Sequence, residues 1–137
     1  MPDTAAPAAA LLAQLADIVG PAGLLTDPAD TAPYAEDWRR LYHGRTGAVV
    51  RPASTAQLAA VVAACAAARV ALVPQGGNTS MVGGAVPAED GSELVLSLSR
   101  MNRVRAVDAV DQTLTIEAGA TLKAAQDAAE AAGCLLP

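Results

Sequence analysis

A chain of 137 residues is long enough for one domain with a real core and too short for two large ones. Hydrophobic residues make up 53% of it, yet Phe is absent and Trp occurs once, so alanine and valine must build a core of small side chains. The net charge of −5 and the single scattering of Lys and Arg argue against a nucleic-acid or anionic-lipid surface.

The longest apolar stretch, Leu58–Ala68, is mostly alanine between Gln57 and Arg69, which describes a one-sided buried helix and not a membrane span. The N-terminus carries no positively charged region ahead of an apolar core and does not read as a signal peptide. Cys65 and Cys134 match no metal spacing and read as small buried hydrophobes in a reducing compartment. The expectation is a soluble, cytoplasmic, acidic domain.

In chain order, residues 1–7 form an Ala- and Pro-rich tail. Leu11, Leu12, Leu15, Ile18 and Val19 then recur at helical spacing, and Gly20-Pro21 closes that helix. Leu24–Gly47 is irregular, with turns at Asp27-Pro28 and Ala32-Pro33 and a short helix predicted around Tyr34–Leu41. Trp38 is expected to anchor this segment or to contact another part of a longer protein.

Ala48–Arg51 reads as a strand stopped by Pro52. Ser54 and Gln57 form a capping box, and Leu58, Val61, Val62 and Cys65 make the buried stripe of a helix ending near Arg69. Val70–Val73 is a second strand, so the unit is βαβ with parallel strands and a right-handed crossover. After a Gly-rich segment and a charged turn at Glu89–Ser92, Leu94–Leu98 is a third strand, apolar on both faces as in a covered sheet. Val104–Val110 and Thr113–Ala118 flank Asp111-Gln112 as an antiparallel hairpin. Thr121 caps a last helix that runs to Ala132 and is closed by Gly133. The fold class is therefore α+β: a small parallel βαβ unit plus antiparallel strands, with an N-terminal helical extension.

Chemistry concentrates in Pro74-Gln75-Gly76-Gly77-Asn78-Thr79-Ser80-Met81-Val82-Gly83-Gly84-Ala85-Val86-Pro87. Two glycine pairs enclose three small polar residues directly after a buried strand. Glycine allows close backbone approach to a ligand, and consecutive N–H groups can form an anion-binding concavity without a lysine. Asn78, Thr79 and Ser80 can add side-chain donors to phosphate oxygens. There is no Gly-Lys-Ser/Thr ending and no G-x-G-x-x-G spacing, so neither an NTPase P-loop nor a Rossmann fingerprint is present. On physics alone, a long flexible glycine loop explains the segment equally well.

The segment resembles the diphosphate loop of FAD-linked oxidases that share the vanillyl-alcohol oxidase fold, with its PCMH-type FAD-binding domain. Pro-Gln-Gly-Gly-Asn-Thr followed by Met-Val-Gly-Gly is most similar to the D-2-hydroxyglutarate and D-lactate dehydrogenase branch. Val49–Pro52 with Ser54-Thr55, Ser97–Asn102 and Glu117–Gly119 extend the likeness over about residues 47–137, more weakly around Tyr34, Asp37 and Trp38. It implies an extension over 1–46 and the first part of an FAD-binding domain over 47–137.

The resemblance assigns the FAD diphosphate to Gly76, Gly77, Asn78, Thr79, Ser80, Met81 (by its backbone), Gly83 and Gly84, with Gly119 and Pro137 at the adenine end. Some relatives attach flavin through a histidine after the first glycine pair; Asn78 stands there, which implies non-covalent FAD. Ser80 stands where glycine is common in this branch, at a cost of about 1 kcal/mol if its φ must be positive. The implied reaction is oxidation of a small D-2-hydroxy acid to the 2-oxo acid, by hydride transfer to FAD.

In the family, the second half of the FAD domain, the substrate domain and metal-linked catalytic histidines follow beyond the position of Pro137. No catalytic residue and no metal ligand is named here, and the 137 residues alone are expected to be inactive. His43 reads as solvent-facing or locally hydrogen-bonded, and Asp108, Asp111 and Glu117 form no acid/base pair. The expected partners are FAD and, in a complete enzyme, a small 2-hydroxy acid, with a homodimer left open. Three alternatives also stay open: a same-fold flavin oxidase or reductase of another substrate, a non-catalytic nucleotide-binding or interaction module, and a fragment whose exposed sheet edges drive association.

Overall fold

The computed structural model describes residues 9–137; the tail expected over residues 1–7 lies outside the described residues. Helix α1 (Ala9–Val19) buries Leu11, Leu15 and Val19, one residue per turn along a single stripe. It ends where Gly20, at φ +73°, donates its N–H to the Ala16 carbonyl at 2.8 Å. The chain then forms β1 (Leu24–Leu25), a two-residue strand inside the segment expected to be irregular. Two residues carry no readable periodicity; only the pairing with a distant strand makes them β.

Helix α2 (Pro28–Thr31) starts at Asp27, whose carboxylate accepts the Ala29 N–H at 2.8 Å. The helix expected around Tyr34–Leu41 does not form. A single 3₁₀ turn, Ala32–Tyr34, is followed by a tight turn in which Arg40 takes φ +58°. The reason is local competition: the Asp37 carboxylate collects the N–H groups of Leu41 at 2.7 Å, Tyr42 at 2.8 Å and Arg39 at 3.4 Å, in place of helical carbonyls. That turn points Trp38 outward, 61% exposed, so Trp38 is not the anchor of the segment.

β2 (Val49–Val50) is paired antiparallel by β1 and parallel by β4 (Leu94–Ser97), and β4 is paired parallel by β3 (Leu72–Gln75). The order β1-β2-β4-β3 makes β4 a central strand, and all four of its residues are buried. Pro74 is compatible with β3 because β3 lies at the edge and needs no N–H on its outer side. The βαβ unit is thus real, but its two strands are separated by β4.

Helix α3 (Thr55–Ala68) has the expected capping box: Ser54 Oγ accepts the Gln57 N–H at 3.2 Å, and Gln57 Oε1 accepts the Ala53 N–H at 2.8 Å. Its buried face is Val61, Ala64 and Cys65, whereas Val62 is 43% exposed. At about 100° per residue, Val61, Ala64 and Cys65 share the face turned to the sheet and α1, and Val62 has rotated off it. The core lies between these layers, with Leu15, Val50, Val61, Cys65 and Leu94 at its centre.

β5 (Val104–Asp108) and β6 (Thr113–Ile116) form the expected hairpin as a separate two-stranded sheet. It is shorter than the sequence suggested, because the Asp108 carboxylate accepts the N–H groups of Val110 and Asp111 and turns the chain early. Helix α4 (Leu122–Ala131) begins at Thr121, whose hydroxyl accepts the Ala124 N–H at 3.2 Å, and is followed by Gly133 at φ +73°.

Candidate cofactor cleft

The glycine loop leaves the C-terminal end of β3, the end where ligands sit in open parallel sheets. It forms one wall of a cleft of about 730 Å³, lined on this side by Gly76, Gly77 and Thr79. The opposite wall is the turn Ala118–Thr121 with the first residues of α4, and Ser99 and Asn102 close the floor beyond β4. No lining residue is charged. The N-terminus of α4, with its orphan N–H groups and positive dipole end, therefore meets no competing carboxylate in the cleft.

The turn that carries this wall is held from behind. Gly119 donates its N–H to the Met101 carbonyl at 2.8 Å, and a Cβ there would stand 1.7 Å from the Leu98 carbonyl oxygen. The buried carboxylate of Glu117 accepts the Arg103 N–H at 3.0 Å and pairs with Arg105 at 3.1 Å and Arg103 at 3.4 Å. The Arg103 N–H foremost, with both guanidiniums, outweighs burial and holds the Glu117 carboxyl below its usual range.

The glycines divide into two kinds. Gly83 has φ +71° and would push a Cβ into the Tyr42 ring, so the fold itself demands it. Gly76 and Gly84 have neither property: a Cβ on either meets nothing within 4 Å and their φ is not positive. A Cβ on Gly77 would find only the Thr79 methyl at 3.8 Å. Among the described residues nothing requires bare backbone at these three positions; Gly76 and Gly77 line the cleft, where bare backbone fits a ligand lying against the main chain, and Gly84 lies outside it.

Of the expected site residues, Gly76, Gly77, Thr79 and Gly119 line this cleft, and Pro137 is exposed and does not. Asn78 turns away: it takes φ +52°, and its amide donates to the Glu36 carbonyl at 2.7 Å. The strain foreseen for Ser80 is absent, since the positive φ falls on Asn78, a residue type that tolerates it. The Ser80 hydroxyl accepts the Val82 N–H at 3.3 Å. The Met81 carbonyl accepts from Arg39 Nη2 while the Met81 side chain is 61% exposed. His43 is exposed and bonded locally, 3.1 Å from the Arg40 carbonyl and 3.4 Å from Glu36, as expected.

Ser99, Asn102 and Thr121 also line the cleft and lie outside the loop motif. The signal was present, because residues after the third strand must also sit at the C-terminal edge of a parallel sheet. A second cavity of about 490 Å³ lies between the hairpin and the end of α4, but Val107, Leu114, Leu135 and Leu136 give it an apolar wall, and Asp108 would repel a phosphate.

The family model for the FAD binding domain matches residues 46–137, which contain both walls of the cleft. The chain belongs to the FAD binding domain family. Within it, the chain is 44% identical over 114 residues to a D-2-hydroxyglutarate dehydrogenase of Xanthomonas citri pv. viticola, covering 83% of this chain and 24% of that protein. It is 37% identical over 112 residues to a putative mitochondrial D-lactate dehydrogenase of Schizosaccharomyces pombe, covering 82% and 21%. The mitochondrial D-2-hydroxyglutarate dehydrogenase of Bos taurus is 36% identical over 126 residues, covering 92% and 23%. The chain thus spans about a quarter of the length of these curated relatives.

Among solved structures, alkyldihydroxyacetonephosphate synthase superposes with a TM-score of 0.83 at 20% identity, over 93% of this chain and 25% of that one. p-Cresol methylhydroxylase superposes at 0.78 with 18% identity, over 90% and 24%. The fold of this FAD binding domain is therefore the PCMH type expected from its loop and strands. These neighbours carry different chemistries on one fold, so the fold by itself selects no substrate.

Proposed function

We propose that this chain binds FAD non-covalently, with the diphosphate between the glycine loop and the start of α4, as the cofactor-binding part of a flavin-dependent D-2-hydroxy-acid dehydrogenase. The observation that carries the reading is the bare backbone at Gly76 and Gly77 in the cleft wall, which neither φ nor packing explains. Thr79, Ser99, Asn102 and the N–H groups of the first α4 turn are the donors that would meet the phosphates. Ser80, Met81 and Gly83 shape the far side of the loop. Asn78 supports non-covalent attachment, because an amide offers no nucleophile to a flavin ring and is already committed to Glu36.

The substrate class is taken from the curated relatives named for D-2-hydroxyglutarate and D-lactate. FAD supplies the hydride acceptor for oxidation at the substrate's C2, and the hydroxyl proton leaves to a base. The described residues contribute binding and orientation of the cofactor; no base or carboxylate clamp is assigned among them. The two free cysteines, one of them buried, support a reducing, cytoplasmic setting.

The test is a titration of the purified chain with FAD, read by flavin fluorescence, with ADP as competitor and acid precipitation of the complex at the end. Quenching that ADP reverses, with all flavin recovered in the acid supernatant, is the expected result. Flavin that stays with the precipitate overturns non-covalent binding, and binding that ADP leaves unaffected overturns the diphosphate site.

A further inference from the structure

Four contacts join the glycine loop to a segment some forty residues earlier. Gln75 Nε2 donates to the Tyr34 carbonyl at 3.0 Å, Asn78 Nδ2 to the Glu36 carbonyl at 2.7 Å, Arg39 Nη2 to the Met81 carbonyl, and the Tyr42 ring lies under Gly83. The partners advance together along both segments, 34 with 75, 36 with 78, 39 with 81 and 42 with 83. Residues 34–44 themselves fold back as a turn, with Glu36 bridged antiparallel to His43 and the Asp37 N–H donated to the Tyr42 carbonyl at 3.2 Å, so both arms of that turn reach the loop. Gln75 also donates to the Ala85 carbonyl at 2.9 Å, so one buried amide ties both ends of the loop together and to the earlier segment.

Asp37 touches none of the loop, yet the arrangement depends on it. Its buried carboxylate is the acceptor that shapes the turn carrying Arg39 and Tyr42, and its Oδ2 lies 3.8 Å from Arg39 Nε. Burial would raise this carboxyl, but the N–H groups of Tyr42, Leu41 and Arg39 with the Arg39 guanidinium outweigh it and hold Asp37 ionised.

We propose that residues 34–44 are a positioning clasp for the glycine loop, with Asp37 organising the clasp and Gln75 anchoring it, so that the loop's N–H groups are set in their diphosphate-binding arrangement before the cofactor arrives. The proposal rests on the cofactor reading above. A loop ordered in advance loses less freedom on binding, so the clasp acts on affinity through preorganisation. Asp37, Gln75 and Arg39 are positioning residues and touch no phosphate.

The experiment compares wild type with Asp37→Asn and Gln75→Glu, near-isosteric changes that remove an acceptor and two donated hydrogen bonds. Backbone ¹⁵N order parameters of residues 76–84 are measured without ligand, and FAD and ADP dissociation constants with it. The clasp requires loop order parameters to fall from about 0.85 toward 0.6 while β2 and β4 stay rigid. It also requires FAD and ADP to weaken in parallel by about tenfold. A merely structural role would loosen strands and loop alike, and that outcome overturns the proposal.

Should Asp37→Asn fail to fold, Arg39→Gln, which severs the contact to the Met81 carbonyl and the pairing with Asp37, carries the same test. FAD binding equally well to wild type and folded variants overturns the clasp and leaves the cofactor site standing. A loop released in the variants, with a wild type that binds no FAD, does the reverse.

Discussion

The Tyr42 ring packs against Gly83 so closely that a Cβ built on the glycine would lie 2.7 Å from Tyr42 Cγ. Gly76, at the start of the same loop, lines the cleft, and a Cβ on it would meet nothing within 4 Å. Glycines of one loop thus serve different ends, and substitution separates them. Gly83→Ala should destabilise the chain by about 2 kcal/mol, from the left-handed φ and the overpacked ring together. Gly76→Ala should leave stability within about 0.5 kcal/mol of wild type, yet weaken FAD binding by about tenfold or more. Urea denaturation and FAD titration of both variants check this; a Gly76→Ala chain with wild-type FAD affinity removes the argument from bare backbone.

Helix capping offers a second separation. Ser54 Oγ and Thr121 Oγ1 each accept one N–H in the first turn of their helices, both at 3.2 Å. Ser54→Ala and Thr121→Ala should each cost about 1 kcal/mol in denaturation. Only Thr121 lines the cleft, so only its replacement should also raise the FAD dissociation constant.

Glu117 predicts an acid-limb effect. Its folded carboxyl is held below the ordinary value of 4.5, chiefly by the Arg103 N–H and then by Arg105 and Arg103. A depressed folded value means that the unfolded chain takes up the proton first, so stability is fully present above 4.5 and is lost as pH falls below it through the folded value. Glu117→Gln should therefore be less stable than wild type at neutral pH and lose less stability on acidification. Denaturation across the acid range reads this, and equal slopes for both proteins would show that Glu117 does not titrate with folding.

The 137 residues with FAD and an artificial electron acceptor should give no oxidation of D-2-hydroxyglutarate or D-lactate. Among the described residues there is no paired base and no carboxylate clamp at the cleft, whose lining is uncharged. Measured turnover of either acid by the purified chain would refute this.

The reach of sequence reasoning followed the range of the forces involved. Helices α1, α3 and α4, their caps, the hairpin and the parallel strands were legible, because periodicity, capping and turn chemistry act within a few residues. The glycine loop and its family resemblance were legible for the same reason, as a contiguous motif after a strand. The two-residue β1, the placement of β4 between β2 and β3, and the exposure of Val62 were not, since each is decided by pairing or packing with distant parts of the chain.

The segment around Tyr34–Leu41 shows the boundary most clearly. Its composition permits a helix, but a buried Asp37 carboxylate out-competes the helical carbonyls, and the resulting turn is stabilised by contacts to a loop some forty residues later. The amino-acid order by itself determined which local elements form and that a bare-backbone loop follows an apolar strand. Only the tertiary structure decided which glycines are free for a ligand, that the start of α4 completes the cleft, and what holds the loop in place. Those answers depend on through-space contacts whose partners are far apart in the chain, and no local pattern encodes such distances.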